Sequence, residues 1–537
     1  MNAPDMESMD APQASGGQHQ VAHSARIIAL ATLSSRLLGA VRDVLTAYYF
    51  GAGMLVDAFV IAFVIPNLFR RLLGEGALSS AFLPVYADYV ENRSRREADR
   101  MASNIFCIVG LVLLVLVFCG YCSSIIFDAT AEDGSRRQLI SRLLMVLLPY
   151  MFFICLTAVC QAVLNTHKHF LAPALAPLVL NVFWIAGLLL AGRVQGEVAG
   201  WQRIFIVAGT ILIGGIVQLT MQFPVLRKYK FKFTFHFDFK DEGFRRILTT
   251  MLPIVVGIGV LQINSVLDNV IALKLVPGDG PVSYLYYANR LLQFPLSIIG
   301  MAMAVAAFPT FSRHFARKEW DALHREILKA LRVTFFLAFP ATVGLVIIRV
   351  PLIHLLFGHG EFASGGGETV MRASRVVLFY AIGVWAHCLV QVLMRVFYGI
   401  GDAKTPFRIA GYMVAFNLCL NLLLIPHFQE AGLALATSVS GILMLLLLCW
   451  RLRSKIRISY TPSFWLAIMK SVLSGVLMGT ACIAVIHGIG DTRLDTLLQT
   501  PAGQAIAVAA VFVPAVLVYG LCSLLWQRDE LSAVLRR

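Results

Sequence analysis

Residues 431–450, AGLALATSVSGILMLLLLCW, contain no charged side chain. A helix of about 20 apolar residues spans the hydrocarbon core of a bilayer, so this stretch predicts a transmembrane helix. Residues 204–226 and 503–526 are also free of charge over a similar length. The sequence therefore predicts a chain that crosses a membrane repeatedly.

The composition extends this prediction to the whole chain. Of its 537 residues, 58% are hydrophobic and only 14% are charged, and the mean hydropathy is +0.76. A soluble domain is about 45–50% apolar and about 25% charged. A soluble globular protein and a disordered chain are therefore excluded. At roughly 20 residues a span, we predict an all-α polytopic membrane protein with about 14 transmembrane helices.

The predicted spans follow a polar segment, residues 1–24, which we expect to be a mobile tail. Apolar runs then alternate with short polar loops. The candidate spans lie at 26–49, 53–73, 103–127, 139–164, 171–192, 203–226, 247–275, 283–311, 328–357, 370–398, 406–425, 430–452, 463–488 and 503–526.

The formal net charge of +15 is concentrated in alternate loops. The segments after the second, sixth, eighth and twelfth spans are rich in Arg and Lys, whereas loops 50–53, 276–282, 358–369 and 426–429 have neither. Loops rich in Lys and Arg face the cytoplasm. We therefore expect a multi-pass membrane protein with both termini cytoplasmic, and no nucleic-acid partner.

A weak repeat relates two parts of the chain. Residues 81–86, AFLPVY, precede the basic loop after the second span, and residues 306–311, AAFPTF, precede the one after the eighth. A six-span offset keeps helix orientation, as in transporters built from two parallel repeats. The predicted domains are a tail at 1–24, an N-lobe of six spans at 25–226, a basic cytoplasmic linker at 227–246, a C-lobe of six spans at 247–453, and two added spans with the cytoplasmic C-terminus at 454–537. In the linker, Phe alternates with polar residues over 231–239, which fits a short strand or an interfacial ribbon.

Among the charged residues inside predicted spans, five are candidate site residues: Arg36, Arg42, Asp57, Arg70 and Arg290. A charge at the bilayer centre costs about 2.5–3.5 kcal/mol on insertion scales, so we expect the arginines to face a water-filled cavity. Guanidinium forks suit phosphate, which favours an anionic headgroup as ligand. An ion pair between Arg42 and Asp57 is an equal alternative for that pair, but it leaves the other arginines unexplained.

A second polar group lies in the seventh, eleventh and twelfth spans, at Asp268, Asn417, Asn421 and Thr437. Carboxylate, amide and hydroxyl oxygens are hard donors of the kind that bind small cations. Hydrogen bonding between spanning helices is the alternative, and residue type alone favours it.

Motifs of soluble catalytic sites are absent from the sequence, which has no GxxxxGK[ST], no HExxH and no nucleophile elbow. We therefore do not expect an enzyme. The ten cysteines lie mostly in apolar runs and imply no disulfide framework.

Several segments together resemble the MurJ (MviN) lipid II flippase family. The resemblance rests on SRLLG at 35–39, Arg42-Asp43, FGAG at 50–53, Asp57-Ala58-Phe59, PNLFRR at 66–71, GEGA at 74–77, YYANRL at 286–291 and Phe294-Pro295. It extends through the fourteen-span layout.

This resemblance implies a transporter of the multidrug/oligosaccharidyl-lipid/polysaccharide (MOP) exporter superfamily. It would have two six-helix lobes around a central cavity and two extra C-terminal helices, and it would flip the undecaprenyl-pyrophosphate-linked peptidoglycan precursor by alternating access. The substrate-binding residues implied are Arg36, Arg42, Asp57, Arg70 and Arg290. Some family members bind sodium through spans 7, 11 and 12, which would place Na⁺ at Asp268, Asn417, Asn421 and Thr437. The expected partners are lipid II and membrane lipids, and the expected state is a monomer without other cofactors.

Three alternatives stay open at this point. A flippase for another polyprenyl-pyrophosphate-linked glycan would share the architecture and the anionic headgroup. A cation-coupled drug exporter would share the fold, but its cationic substrates favour acidic cavities. A membrane enzyme acting on polyprenyl phosphates would need an acid/base or metal constellation, which the sequence does not display.

Overall fold

A computed structural model describes residues 14–194, 199–490 and 496–535. Within these ranges the chain is almost entirely helical and forms no β-strand, which confirms the all-α prediction. The first helix, α1 (Ala14–Phe50), begins inside the segment 1–24 expected to be a tail. Residues 1–13 of that segment lie outside the described residues.

The described helices include ten that are long and apolar enough to cross a membrane, or up to twelve if each of two bent helix pairs is one span. The predicted count of fourteen is consistent with this number but is not established by it. The first two predicted spans fall in α1 and in α2 (Met54–Phe69). The first of these carries Arg36 and Arg42, and the second has only 16 residues.

The chain forms two compact units whose boundaries do not follow chain order. Unit 1 comprises residues 1–42, 65–133 and 141–255, and unit 2 comprises residues 43–64, 134–140 and 256–537. The lobe, linker and C-terminal boundaries proposed from the sequence stay predictions.

Unit 1 is built around a buried apolar core in which Phe82, Tyr86, Met101 and Ile105 are almost fully inaccessible. These side chains pack with apolar residues of other helices of the unit, such as Val163 and Leu219. Its helices after α2 are α3 (Leu78–Asn92), α4 (Arg95–Ala129), α5 (Arg136–Thr166), α6 (Leu171–Ala191), α7 (Ala199–Thr220), α8 (Gln222–Lys228) and the start of α9 (Glu242–Leu275). The first five residues of α5, 136–140, belong to unit 2.

The linker between α8 and α9 contains residues 231–239, here called the Phe segment, which adopt neither helix nor strand through residue 238. Side chains of α4 satisfy its backbone instead of a partner strand. The Lys232 amide donates to Asp99 Oδ2 at 3.1 Å, and Asn104 exchanges two hydrogen bonds of 2.8 Å with the Asp238 backbone. Of the two forms expected for this alternating sequence, the strand is therefore wrong.

Unit 2 has its own core, with Phe311, Phe397, Leu393 and Leu448 fully buried. Its helices after α9 are α10 (Pro281–Pro295), α11 (Ala302–Ala316), α12 (Trp320–Phe357), α13 (Glu361–Ser364), α14 (Gly366–Ile382), α15 (Val384–Gly399), α16 (Lys404–Phe428), α17 (Glu430–Ile456), α18 (Pro462–Ile489), α19 (Pro501–Trp526) and α20 (Arg528–Leu535).

Two π-helical turns occupy matching places in the sequence repeat. Arg70–Ala77 lies between α2 and α3 and ends seven residues before Pro84. Leu296–Met301 lies between α10 and α11 and ends eight residues before Pro309. Since π-helical turns are rare and concentrate at functional sites, their paired occurrence supports the repeat.

A kink of 43° separates α14 from α15 at Gly383. The break frees backbone carbonyls, and Ser438 of α17 donates its hydroxyl to Phe379 O at 2.6 Å and lies 3.1 Å from Tyr380 O. A Cβ at Gly383 would lie 2.8 Å from Ser438 Cα. The glycine therefore permits a close approach in which a neighbouring helix satisfies the kinked backbone.

Candidate functional site

Arg42 lies on α1 in unit 1 and is held by two side chains of α6. Its Nη1 donates to Asn181 Oδ1 at 3.0 Å, and its guanidinium carbon lies 4.3 Å from the centre of the Trp184 ring. Asn181 in turn donates to the backbone oxygen of Ser35 at 3.0 Å. The planar guanidinium is thus fixed in orientation by an amide and an aromatic face rather than left to rotate.

Two other predicted arginines also lie in unit 1. Arg36 is exposed and stands six residues before Arg42, which is about 9 Å along a helix. Arg70 begins the first π-helical turn, where its Nε and Nη2 both donate to Asn67 Oδ1, at 3.1 and 2.9 Å. Each of these cations is therefore carried on a helix that the sequence predicted to span the membrane.

Asp57 has a structural setting in unit 2 that the sequence did not predict. It is fully buried. Its Oδ2 accepts from the Gly280 amide at 2.9 Å, and its Oδ1 accepts from the Ser283 amide at 2.8 Å and the Ser283 hydroxyl at 2.6 Å. A helix leaves its first amides without partners, and Asp57 satisfies those at the start of α10. These bonds account for the carboxylate without an Arg42 ion pair.

Arg290 on α10 pairs with Asp43 on α1, also within unit 2. Its Nε lies 3.0 Å from Asp43 Oδ2, and its guanidinium carbon lies 4.6 Å from the centre of the Tyr286 ring. Tyr286 donates its hydroxyl to Asp43 Oδ1 at 2.7 Å. The Arg290 side chain is 32% exposed, whereas the Asp43 side chain is 7% exposed. The buried carboxylate thus orients a cation that remains accessible.

Sequence reasoning missed Asn181 and Trp184 as the partners of Arg42, and it missed Asp43 as the partner of Arg290. Asp43 was visible as half of the Arg42-Asp43 dipeptide. Asn181 was visible as a single amide within the apolar fifth span. Their partners lie more than a hundred residues away along the chain, so no local sequence pattern predicts these contacts.

The second predicted group is brought together in unit 2. Asn421 Nδ2 donates to Asp268 Oδ1 at 2.6 Å and lies 3.1 Å from the Asn417 amide. Asn264, which the sequence analysis did not select, lies one turn before Asp268 and 3.4 Å from its Oδ2. Thr437 stands on α17 and donates its hydroxyl to Leu433 O.

This group has the donor chemistry of a site for a small hard cation. Asp268, Asn417 and Asn421 are all buried. Asn421 Oδ1 is buried and has no hydrogen-bond partner among the described residues, and such an acceptor is costly unless something with positive charge faces it. Residues that would hold a sodium ion are therefore present. No cluster of three or more His, Cys, Asp or Glu occurs in the described part of the chain.

The helices and their polar side chains define a polytopic membrane transporter. A multidrug resistance MATE family transporter of the MOP superfamily, in an inward-facing conformation, superposes with a TM-score of 0.63 at 16% identity, over 80% of this chain and 96% of that one. At that identity the likeness shows the fold alone.

Closer relatives identify the family within this class. The family model for lipid II flippase MurJ matches residues 46–492. The lipid II flippase MurJ of Burkholderia cenocepacia is 32% identical over 458 residues, covering 83% of this chain and 86% of the relative. A lipid II flippase MurJ structure in an inward closed conformation superposes with a TM-score of 0.77 at 27% identity, over 94% of this chain and 99% of that one. The chain belongs to the lipid II flippase MurJ family.

Proposed function

We propose that this protein is a lipid II flippase, a transporter and not an enzyme. It moves the undecaprenyl-pyrophosphate-linked peptidoglycan precursor from the inner to the outer leaflet of the bacterial cytoplasmic membrane by alternating access. The observation that carries this conclusion is the family match over most of the chain, with charged residues of that family's motifs present on the spanning helices. The drug-exporter alternative has only fold-level similarity in its favour.

The arginines Arg36, Arg42, Arg70 and Arg290 bind the pyrophosphate in this proposal. Guanidinium forks bind phosphate oxygens in pairs, and the supports of Arg42 and Arg290 hold each fork at a set angle. The polyprenyl tail stays in lipid while the headgroup crosses. We assign Asp57 to the structure of α10 rather than to direct ligand contact, because its oxygens already accept three hydrogen bonds.

Both termini face the cytoplasm in this proposal, because the loops rich in Lys and Arg fall on the side of the termini. Labelling of single cysteines placed at 94 and 278, with a reagent that does not cross the membrane, tests the orientation: only the cysteine at 278 is expected to react from outside.

The transporter acts as a monomer on lipid II, with no nucleic-acid partner, and a dimeric mass in mild detergent would contradict the monomer.

Lipid II exposure in cells depleted of their own flippase tests the function. An external enzyme that cleaves lipid II reports the fraction in the outer leaflet. Wild-type protein is expected to restore cleavage, and Arg42→Ala or Arg290→Ala to reduce it at least about tenfold, since a hydrogen bond to a charged group contributes about 1.5–3 kcal/mol. Arg325→Ala, which removes an exposed charge near the start of α12, is the control and should transport normally. Wild-type transport by both Arg42→Ala and Arg290→Ala would overturn the assignment of these arginines to the pyrophosphate. If the wild-type chain inserts but does not restore lipid II cleavage, another polyprenyl-linked glycan becomes the favoured substrate.

Sodium binding at Asp268, Asn417, Asn421 and Thr437 is a further part of the proposal. Bound sodium would neutralise the buried carboxylate and supply a partner for Asn421 Oδ1. A ligand that binds the folded state raises the Tm with its concentration, so NaCl should raise the Tm of the purified protein more than KCl does. Asp268→Asn should abolish this difference, whereas Asp279→Asn, at an exposed carboxylate, should keep it. Equal effects of the two salts on the wild type would remove sodium from the proposal.

A further inference from the structure

Unpaired positive charge collects where α8 ends. Nearby arginines are engaged within unit 1: Arg93 lies 2.7 Å from Glu242, and Arg246 lies 2.8 Å from Asp88. Four basic residues next to them form no ion pair with any described residue: Arg227, Lys228, Lys230 and Lys232. All four are exposed, so their charge is available to attract an anion from outside the chain.

An apolar groove of about 310 Å³ opens beside the same cluster. Its walls come from α4, α5, α8 and the Phe segment, through side chains such as Ala102, Val163, Phe223 and Phe231. Arg227 is the single charged residue among those that line it. The groove thus joins an apolar interior to one guanidinium, an arrangement that fits an amphiphile with an anionic head.

The groove volume limits which amphiphile fits. One water molecule occupies about 30 Å³ of liquid, so the groove holds roughly ten groups of methylene size. That is most of one acyl chain of a phospholipid. It is a small part of the 55-carbon tail carried by an undecaprenyl substrate.

The Phe segment places aromatic rings next to the groove. Phe235 is 85% exposed, and Phe237 and Phe239 are 52% and 55% exposed. The hydrogen bonds that the Lys232 and Asp238 amides donate to Asp99 and Asn104 fix the backbone that carries these rings. Exposed aromatic side chains beside Lys and Arg are typical of the membrane–water interface, where anionic lipids attract basic segments.

We propose that this groove binds one anionic diacyl phospholipid of the inner leaflet. An acyl chain enters between α4, α5 and α8 and packs under Phe231 and Phe233. The lipid phosphate lies at Arg227, with Lys228, Lys230 and Lys232 surrounding the headgroup. The leaflet, but not the binding itself, rests on the orientation proposed above.

Native mass spectrometry of the delipidated full chain in detergent tests the site. Dioleoylphosphatidylglycerol is the probe, and dioleoylphosphatidylcholine is the zwitterionic comparison. A basic residue near anionic lipid contributes about 1 kcal/mol, so Arg227→Gln should weaken binding of the anionic lipid about fivefold. Arg245→Gln removes the same charge from an exposed position near the start of α9 that does not line the groove, and it should change the affinity less than twofold. The Tm of each variant without lipid checks that it is folded.

Three outcomes would overturn the proposal. Equal weakening by both variants would mean that the linker attracts lipid by diffuse charge alone. Displacement of the lipid by millimolar inorganic phosphate would mean that the groove contributes nothing and the site is a simple anion site. Displacement by undecaprenyl phosphate at a lower concentration than by phosphatidylglycerol, lost in Arg227→Gln, would assign the groove to the transported polyprenyl class.

Discussion

Asp43 and Asp57 are two buried acidic residues with different roles. Asp57 is inaccessible, and its carboxylate holds the start of α10 through the amides of Gly280 and Ser283. Asp43 keeps one oxygen for the Tyr286 hydroxyl and one for Arg290. A buried carboxylate is thus used here once to satisfy the start of a helix and once to orient a cation.

Asp57→Asn should destabilise the protein. The new NH₂ group would face an amide donor that had a carboxylate acceptor, and a buried polar group left without a partner costs about 1–3 kcal/mol. We expect a lower Tm in detergent and less inserted protein, while flipping per folded molecule changes little.

The matched control is Asp279→Asn, because Asp279 precedes the same helix but its side chain is 62% exposed and pairs with Arg136 at the surface. Exposed pairs contribute about 0–1 kcal/mol, so its Tm should shift much less. A flipping defect in Asp57→Asn at unchanged Tm would instead return Asp57 to the substrate site.

At the scale of the element, the kink between α14 and α15 depends on one glycine and one serine. Gly383→Ala would force a Cβ to within 3 Å of three Ser438 atoms. Overpacking of this kind costs about 1–3 kcal/mol, so we expect a lower Tm or a shift of α17 away from the kink.

Gly411→Ala on α16 makes the same chemical change where a Cβ meets nothing within 4 Å. Since Gly in a helix is about 0.5–1 kcal/mol less favourable than Ala, this control should be neutral or stabilising. Thermal unfolding of both variants followed by intrinsic fluorescence makes the comparison, and equal Tm values would show that the close approach at Gly383 carries no stability.

For the whole molecule, the sequence predicted what depends on local hydropathy and missed what depends on distant partners. The charge-free stretches such as 431–450 lie within spanning helices because about 20 apolar residues have no other stable environment. Asp268 and Asn421 form a hydrogen bond, as expected, since polar side chains in apolar helices commonly bind one another across helices. The role of Asp57 escaped prediction because its partners lie 223 and 226 residues away. The conformation of the Phe segment was not predicted because side chains of α4, rather than a strand, bind its backbone.

The paired π-helical turns have a consequence for how the two repeats are built. Each α-helical residue advances the helix by about 100°, so a turn that holds one extra residue rotates everything after it by about that angle. The faces that α3 and α11 present are therefore offset from those that straight continuations of α2 and α10 would present. Both parts of the sequence repeat carry such a π-helical segment ahead of their basic loops, so a rotation of the helix face before the loop is a feature that they share.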